Sequence, residues 1–246
     1  MDGGYFKNLV SAMEPLLDEA KLNFYPEAKL TVRGMEPGKV AMLDIECSAG
    51  MFKEYECDKN FLIGISMIEL SKIAKRISSS SVVELRKESG KSSLDIVLEG
   101  KYKSKFSMKM LETVHEKLPV PKVKSTYIVK LFTKPFLDAL DDIALYSTLV
   151  TFKGEKDKLL LTGSGDVADV SIELLPKSET CVSITSEVNQ ATSTYQISYV
   201  KEIIKGASGI SDVMILGFGK TKPMEIVFNQ PKVMRAKFWV APRVPG

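Results

Sequence analysis

An internal duplication constrains this chain more than any other feature: its first half can be laid on its second, segment by segment and in order. Leu22-x-Phe24-x-x-Glu27-x-Lys29-Leu30-x-Val32-x-Gly34 recurs, with one inserted residue, as Val150-x-Phe152-x-x-Glu155-x-x-Lys158-Leu159-x-Leu161-x-Gly163. Val40-Ala41-x-x-x-Ile45-Glu46 returns as Val167-Ala168-x-x-x-Ile172-Glu173, Ile65 to Ile68 as Ile197 to Val200, and Leu94 to Leu98 as Met224 to Phe228. Alternating apolar residues are common in strands, so each match alone is weak. Four in the same order imply one folding unit used twice. The 246 residues then make two units of about 120, each able to bury a core of its own.

The pattern lapses between Glu112 and Thr126, where ETVHEKLPVPKVKST carries two prolines and no sustained period. The expected organisation is a first domain over 1–111, a connecting loop over 112–126 and a second domain over 127–246. Within each half, period-2 runs such as Phe106-x-Met108-x-Met110 and Val170-x-Ile172-x-Leu174 predict strands. Helical stripes are expected at Phe6, Leu9, Val10, Met13, Leu16 and Leu17, and at Met67, Leu70, Ile73, Ala74 and Ile77. In the second half they fall at Phe136, Leu140, Ile143 and Ala144, and at Tyr199, Val200, Ile203 and Ala207. Pro15 is awkward inside the first stripe, because an interior proline removes a backbone donor. The fold class is α+β.

A net charge of +3 advertises neither nucleic acid nor membrane, so any polyanion site must be made by arrangement. Cys47, Cys57 and Cys181 have no C-x-x-C spacing and suggest a reducing, intracellular setting rather than a disulfide framework. The expectation is a chain neither secreted nor membrane-spanning, since no 18 apolar residues run together and the N-terminus lacks a signal pattern.

Signatures of catalysis are missing. The sole histidine, His115, lies in the connector without a partner. Gly217-x-Gly219-Lys220-Thr221 ends like a phosphate-binding loop but has Met214 where the first glycine belongs, and Gly163-Ser164-Gly165-Asp166 has strands on both sides; both are read as turns. No metal-ligand spacing occurs, and no cofactor is expected. The helix surfaces are more informative. The stripe of Met67, Leu70, Ala74 and Ile77 leaves Lys72, Lys75 and Arg76 on the opposite face, and the last helix likewise presents Lys201 and Lys205, faces suited to phosphates. The other two helices do not follow suit: Lys7 is accompanied by Glu14 and Asp18, and Asp138, Asp141 and Asp142 make the third helix acidic.

The duplicated half, the connector Leu118-Pro119-Val120-Pro121, the segment Met51-Phe52-x-x-Tyr55-x-Cys57-Asp58 and the ending Val240-Ala241-Pro242-Arg243-Val244 resemble proliferating cell nuclear antigen, the sliding clamp of archaea and eukaryotes, over essentially the whole chain. The compact length looks archaeal. The resemblance implies the DNA-clamp fold: a ring of three two-domain subunits with antiparallel sheets outside and helices lining a hole through which duplex DNA passes. It implies a processivity factor and not an enzyme, recruiting clamp loader, DNA polymerase, ligase and flap nuclease. Lys7, Lys72, Lys75, Lys201 and Lys205, with Arg76 beside them, become DNA-facing cations. Asp141 departs from the family's basic pattern.

By the same resemblance, a groove for partner peptides maps onto Met35, Lys39 and Val40, onto Leu118, Val120 and Pro121, and onto Pro223 with Trp239, Val240, Ala241 and Pro242. Partners insert a glutamine followed by an aliphatic and two aromatic residues. Trp239 is open to two readings, groove or core. Ring closure is expected between the edge segment Lys103 to Leu111, with Lys103, Lys105, Phe106 and Met108, and the segment Val167 to Leu174, with Asp169, Val170 and Ile172; lysines there alternate against Asp166 and Asp169. Identical and related subunits both remain open, with the acidic helix and the +3 charge tilting toward related ones. A damage-responsive clamp subunit is the alternative in the same fold, and an α+β enzyme with an unrecognised site the alternative outside it.

Overall fold

A computed structural model describes residues 1–78, 80–113 and 118–243. The first half runs α1 (Gly3–Met13), β1 (Glu19–Tyr25), β2 (Lys29–Met35), β3 (Ala41–Cys47), β4 (Phe61–Ser66), α2 (Met67–Ala74), β5 (Val82–Arg86), β6 (Ser93–Glu99) and β7 (Lys103–Lys109). The second runs β8 (Tyr127–Phe132), α3 (Thr133–Ala144), β9 (Leu149–Glu155), β10 (Leu159–Ser164), β11 (Asp169–Leu174), β12 (Cys181–Ser186), β13 (Gln190–Gln196), α4 (Ile197–Ala207), β14 (Val213–Phe218), β15 (Met224–Gln230) and β16 (Met234–Val240). The counterpart of β8 in the first half has shrunk to one bridge, Asp2 against Val82, with the Met1 amine donating to the Val83 carbonyl at 2.8 Å.

Every named strand pairing is antiparallel. Nine strands form one sheet in the order β12-β8-β14-β15-β16-β3-β2-β1-β4, four form β11-β10-β9-β13 and three form β5-β6-β7. The nine-stranded sheet crosses from one half to the other where β16 meets β3, Arg235 opposite Glu46 and Phe238 opposite Leu43. Over the sheets the helices pack α2 on α1, α1 on α4 and α4 on α3, giving a continuous layer in the order α2-α1-α4-α3. Among the described residues no helix is long and apolar enough to cross a membrane.

Local chemistry sets the helix ends. The Asp2 carboxylate accepts from the Gly4 N–H at 2.8 Å and caps α1. Pro15 offers no N–H to the Ser11 carbonyl, so α1 closes at Met13 with Glu14 as its cap. Leu16 and Leu17 therefore reach the core from the turn that follows, with both N–H groups bonded to the Met13 carbonyl. Ile77 is likewise buried beyond the end of α2.

One segment of the duplication needs a shift of two residues. Met67 and Ile197 are the first helical residues after their caps, Ser66 and Gln196, so Met67 rather than Ile65 is the counterpart of Ile197. Ile65 belongs to β4. At a strand-to-helix switch the apolar period changes from 2 to about 3.6, and matching apolar letters across it selects the wrong phase. With the shift, buried Met67, Leu70, Ile73 and Ala74 recur as Ile197, Val200, Ile203 and Ile204. Tyr199, expected on the apolar stripe, is only half-buried. The two glycine loops are the expected turns, joining β10 to β11 and β14 to β15. His115 lies outside the described residues.

Candidate functional site

Two surfaces gather the residues singled out above. The first is the side of the helix layer turned away from the sheets. Lys7 on α1, Lys72 on α2, Lys75 and Arg76 just after it, and Lys205 on α4 are exposed. Three of the six cations, Lys201 included, are already engaged: Lys72 pairs with Glu69 at 2.7 Å, Lys75 with Glu14 at 3.2 Å and Lys201 with Asp141 at 2.5 Å. Lys201, half-buried, ties α4 to α3 instead of standing free. Among the described residues Lys7, Arg76 and Lys205 have no ion-pair partner. Lys75 and Lys205 are counterparts in the duplication, so each half contributes one cation at the same place on its second helix.

The second surface is a seam on the face of the nine-stranded sheet opposite the helices. Strand alternation decides which side chains reach it. On β16 Met234, Ala236, Phe238 and Val240 are buried in the main core, so Val240 belongs to the core and not to the seam. Arg235, Lys237 and Trp239 point the other way. Trp239 is nevertheless only 3% exposed; it stands outside the main core cluster, with Met42 of β3 as its cross-strand neighbour. Its buried indole N–H donates to no group among the described residues. A period-2 count shows Trp239 facing outward but says nothing of what covers it.

The connector crosses this seam. At one end the Leu118 carbonyl accepts from Arg33 at 3.2 Å, while Arg33 also binds Asp44 at 2.9 Å. Further along, the Lys124 carbonyl accepts from Lys222 in the β14–β15 turn at 2.9 Å. Val120 and Met35 each remain 37% exposed, and Leu118, Pro121, Pro223, Ala241 and Pro242 are half-buried. Val40 lies beside Ala241, whose N–H donates to the Val40 carbonyl at 2.8 Å.

The β2–β3 turn that carries Lys39 and Val40 is pinned by one carboxylate. Glu36 accepts from the Gly38 N–H at 2.8 Å, the Val40 N–H at 3.1 Å and the Tyr199 hydroxyl of α4 at 3.0 Å. Lys39 takes a positive φ of 59° to close the turn. Burial pushes the Glu36 carboxyl upward, but the hydrogen bonds from Gly38, Val40 and Tyr199 outweigh it and hold the group below its ordinary range. A depressed carboxylate stabilises the fold above its unfolded pKa and ceases to do so as pH falls through the folded value. Glu36→Gln is therefore expected to cost up to about 1 kcal/mol at neutral pH and little in acid. Thermal melts at pH 7 and pH 3 test this; an equal loss at both would remove Glu36 as the pin.

The expected edges are free edges. β7 ends the three-stranded sheet and β11 ends the four-stranded one. Phe106, Val170 and Ile172 are half-buried toward the helices, Met108 is buried, and Lys103, Lys105 and Asp169 are exposed. Within the chain Lys103 pairs with Glu99 and Lys105 with Asp95, so neither lysine waits unengaged. Among the described residues no group of three His, Cys, Asp or Glu side chains could hold a metal ion.

Residues 1–117 match the family model described as proliferating cell nuclear antigen, N-terminal domain. The chain is 28% identical to the DNA polymerase sliding clamp of Thermofilum pendens over 99% of this chain and 97% of that one. It is 29% identical to that of Nitrosopumilus maritimus, over 97% and 94% respectively. Among solved structures it is similar to a chain of the PCNA2-PCNA3 complex from Sulfolobus tokodaii, with a TM-score of 0.89 and 26% identity over 99% of this chain and 97% of that one. The fold is shared with A. fulgidus PCNA, solved with the C-terminal region of FEN-1 bound to it, at a TM-score of 0.87 and 24% identity over 100% of this chain and 98% of that one.

Proposed function

We propose, on the premise that this chain belongs to the proliferating cell nuclear antigen family of sliding clamps, that it is a non-catalytic ring subunit that encircles duplex DNA inside the cell and tethers replication and repair proteins to it. The observation that carries the reading is the helix layer α2-α1-α4-α3, continuous across both halves, with Lys7, Lys75 and Lys205 on its free side. A closed ring retains DNA by topology, so a few solvated phosphate contacts suffice and permit sliding. Partners held at the ring gain effective concentration at the DNA rather than new chemistry. The residues 1–111 and 127–246 serve as the two clamp domains, and 112–126 as the connector between them.

Lys7, Lys72, Lys75, Arg76, Lys201 and Lys205 are assigned to the inner wall. The ion pairs Lys72–Glu69, Lys75–Glu14 and Lys201–Asp141 weaken its field, so binding by this wall is gentle. The seam beside the connector is assigned to partner peptides carrying a glutamine, an aliphatic and two aromatic residues, the class used by polymerase, ligase, flap nuclease and clamp loader.

Changing Lys7, Lys75 and Lys205 together to Ala tests the wall. Each phosphate contact removed should flatten the slope of log affinity against log salt by about 0.9, with melting unaffected. Fluorescence anisotropy of a duplex across a salt series reads the slope; an unchanged slope places the DNA elsewhere.

A further inference from the structure

The seam has a basic rim, and we infer that the peptides it receives carry acidic residues beside their glutamine, aliphatic and aromatic core. The inference rests on the clamp reading and adds to it the charge of the partner segment. Register places the rim. Ser186 of β12 and Phe218 of β14 both face Tyr127, the first residue of β8. Met224 of β15 faces Val240, the last residue of β16, and Val240 faces Ala41, the first of β3. All these strand ends lie at one end of the nine-stranded sheet. From β12 to β2, the loops there are 187–189, the connector, the β14–β15 turn, the tail after β16 and the β2–β3 turn. The β14–β15 and β2–β3 turns then stand roughly 15 Å apart, a span that about five extended residues cover.

Among the described residues of those loops, six cations, Lys39, Lys122, Lys124, Lys220, Lys222 and Arg243, stand against two carboxylates, Glu36 and Glu187. Both carboxylates are taken. Glu36 accepts from Gly38, Val40 and Tyr199, and Glu187 pairs with Lys124 at 3.1 Å. Two of the cations meet neutral oxygens: Lys222 donates to the Lys124 carbonyl at 2.9 Å and Arg243 to the side-chain oxygen of Gln196 at 2.6 Å. Lys39, Lys122 and Lys220 are exposed and have no ion-pair partner among the described residues.

Lysines scattered for solubility have no need to be tied together, and these are. The Lys222 bond to the Lys124 carbonyl joins the turn to the connector. The Thr126 N–H donates to the Phe218 carbonyl at 3.0 Å, and the Tyr195 hydroxyl donates to the Lys222 carbonyl at 2.8 Å. The backbone thus holds Lys122, Lys124, Lys220 and Lys222 together although like charges repel. Carboxylates arriving from outside relieve that repulsion. Inside the rim lie Val40, Val120, Pro121 and Pro242, and an apolar strip bounded by polar groups is the anatomy of a protein interface. Charge at such a rim governs approach and choice of partner more than raw affinity. An acidic flank meets the lysines as the rings enter the strip, whereas a basic flank is repelled.

Peptides that share the core and differ only in their flanks, with serines, aspartates or lysines on both sides, test this by fluorescence anisotropy against the full chain. The aspartate-flanked peptide should bind about threefold to tenfold tighter than the serine-flanked one at low salt, and the lysine-flanked one more weakly than either. The spread should shrink as ionic strength rises past about 0.15 M. Lys122→Glu combined with Lys220→Glu alters two exposed side chains without ion-pair partners, so melting should be unchanged. It should reverse the order of the aspartate and lysine peptides while the serine peptide keeps its affinity. Equal affinities for all three peptides overturn the inference and leave the seam standing; binding of none of them removes the seam as well. A double variant that keeps the wild-type order overturns the assignment of the rim. Indifference to the flanks together with a loss of duplex affinity in the double variant would show that the lysines serve phosphates, and overturns the inference too.

Discussion

Phe152→Ala is expected to lower the free energy of unfolding by about 3–5 kcal/mol, the range for truncating a large aromatic in a well-packed core. Phe152 is fully buried on β9 and touches three rings: Phe136 of α3 at 6.3 Å, Tyr195 of β13 at 5.7 Å and Phe218 of β14 at 5.7 Å. It therefore ties a helix to two different sheets. Tyr127 joins the cluster through Phe218 at 5.0 Å, and the hydroxyls of Tyr127 and Tyr195 are bound by the carbonyls of Lys158 and Lys222, so the neighbours cannot easily collapse into the void. The counterpart in the first half, Phe24, is 6% exposed and, among the described residues, stacks on one ring, Phe61, at 5.0 Å. Phe24→Ala should cost less than Phe152→Ala. Urea unfolding of both variants decides the order; equal losses would mean that the second half's aromatic cluster adds nothing beyond area.

That comparison shows what the sequence could and could not convey. The duplication exposed the two-unit plan because strand and helix periods are local properties, and Phe24 and Phe152 fell on the same letter of the repeat. It could not show that one sits in a ring cluster and the other in a stacked pair, since those partners come from elsewhere in the chain. The same division runs through the site. The basic letters on α2 and α4 were legible, but the ion pairs that engage Lys75 with Glu14 and Lys201 with Asp141 join different helices, and no wheel drawn on one helix predicts them. Trp239 stays open between groove and core in the sequence, because its burial beside Met42 on the outer side of β16 depends on β3, far away in sequence. The Glu36 pin was missed altogether; a carboxylate two residues before a glycine in a turn is a common local signal, but its third donor, Tyr199, lies in the other half.

The seam beside the connector offers the sharpest test of function, because three distant parts of the chain must meet there. Val40 enters from the β2–β3 turn, Val120 from the connector and Pro242 from the segment after β16, and the bond from Ala241 to the Val40 carbonyl joins the first of these to the last. Solvent-exposed valine on a connector that crosses a sheet is wasted apolar area unless a partner covers it. A peptide with the glutamine, aliphatic and paired-aromatic pattern would bury its rings against this strip, each ring contact contributing about 1–3 kcal/mol. Val40→Asp or Val120→Asp places a carboxylate in the path of those rings, and its desolvation without a partner opposes binding. Affinity for the peptide should fall at least about tenfold, equivalent to about 1.4 kcal/mol, in either variant. Val120 makes no core contact that its loss could disturb, so Val120→Asp should leave melting unchanged and separate binding from folding. Lys130→Ala, at an exposed position of β8 three strands from β16, serves as the control and should bind as the wild type does. Titration calorimetry with the free peptide reads all three variants. Wild-type affinity in both aspartate variants would move the partner surface away from the connector and leave the exposure of Val120 without a function.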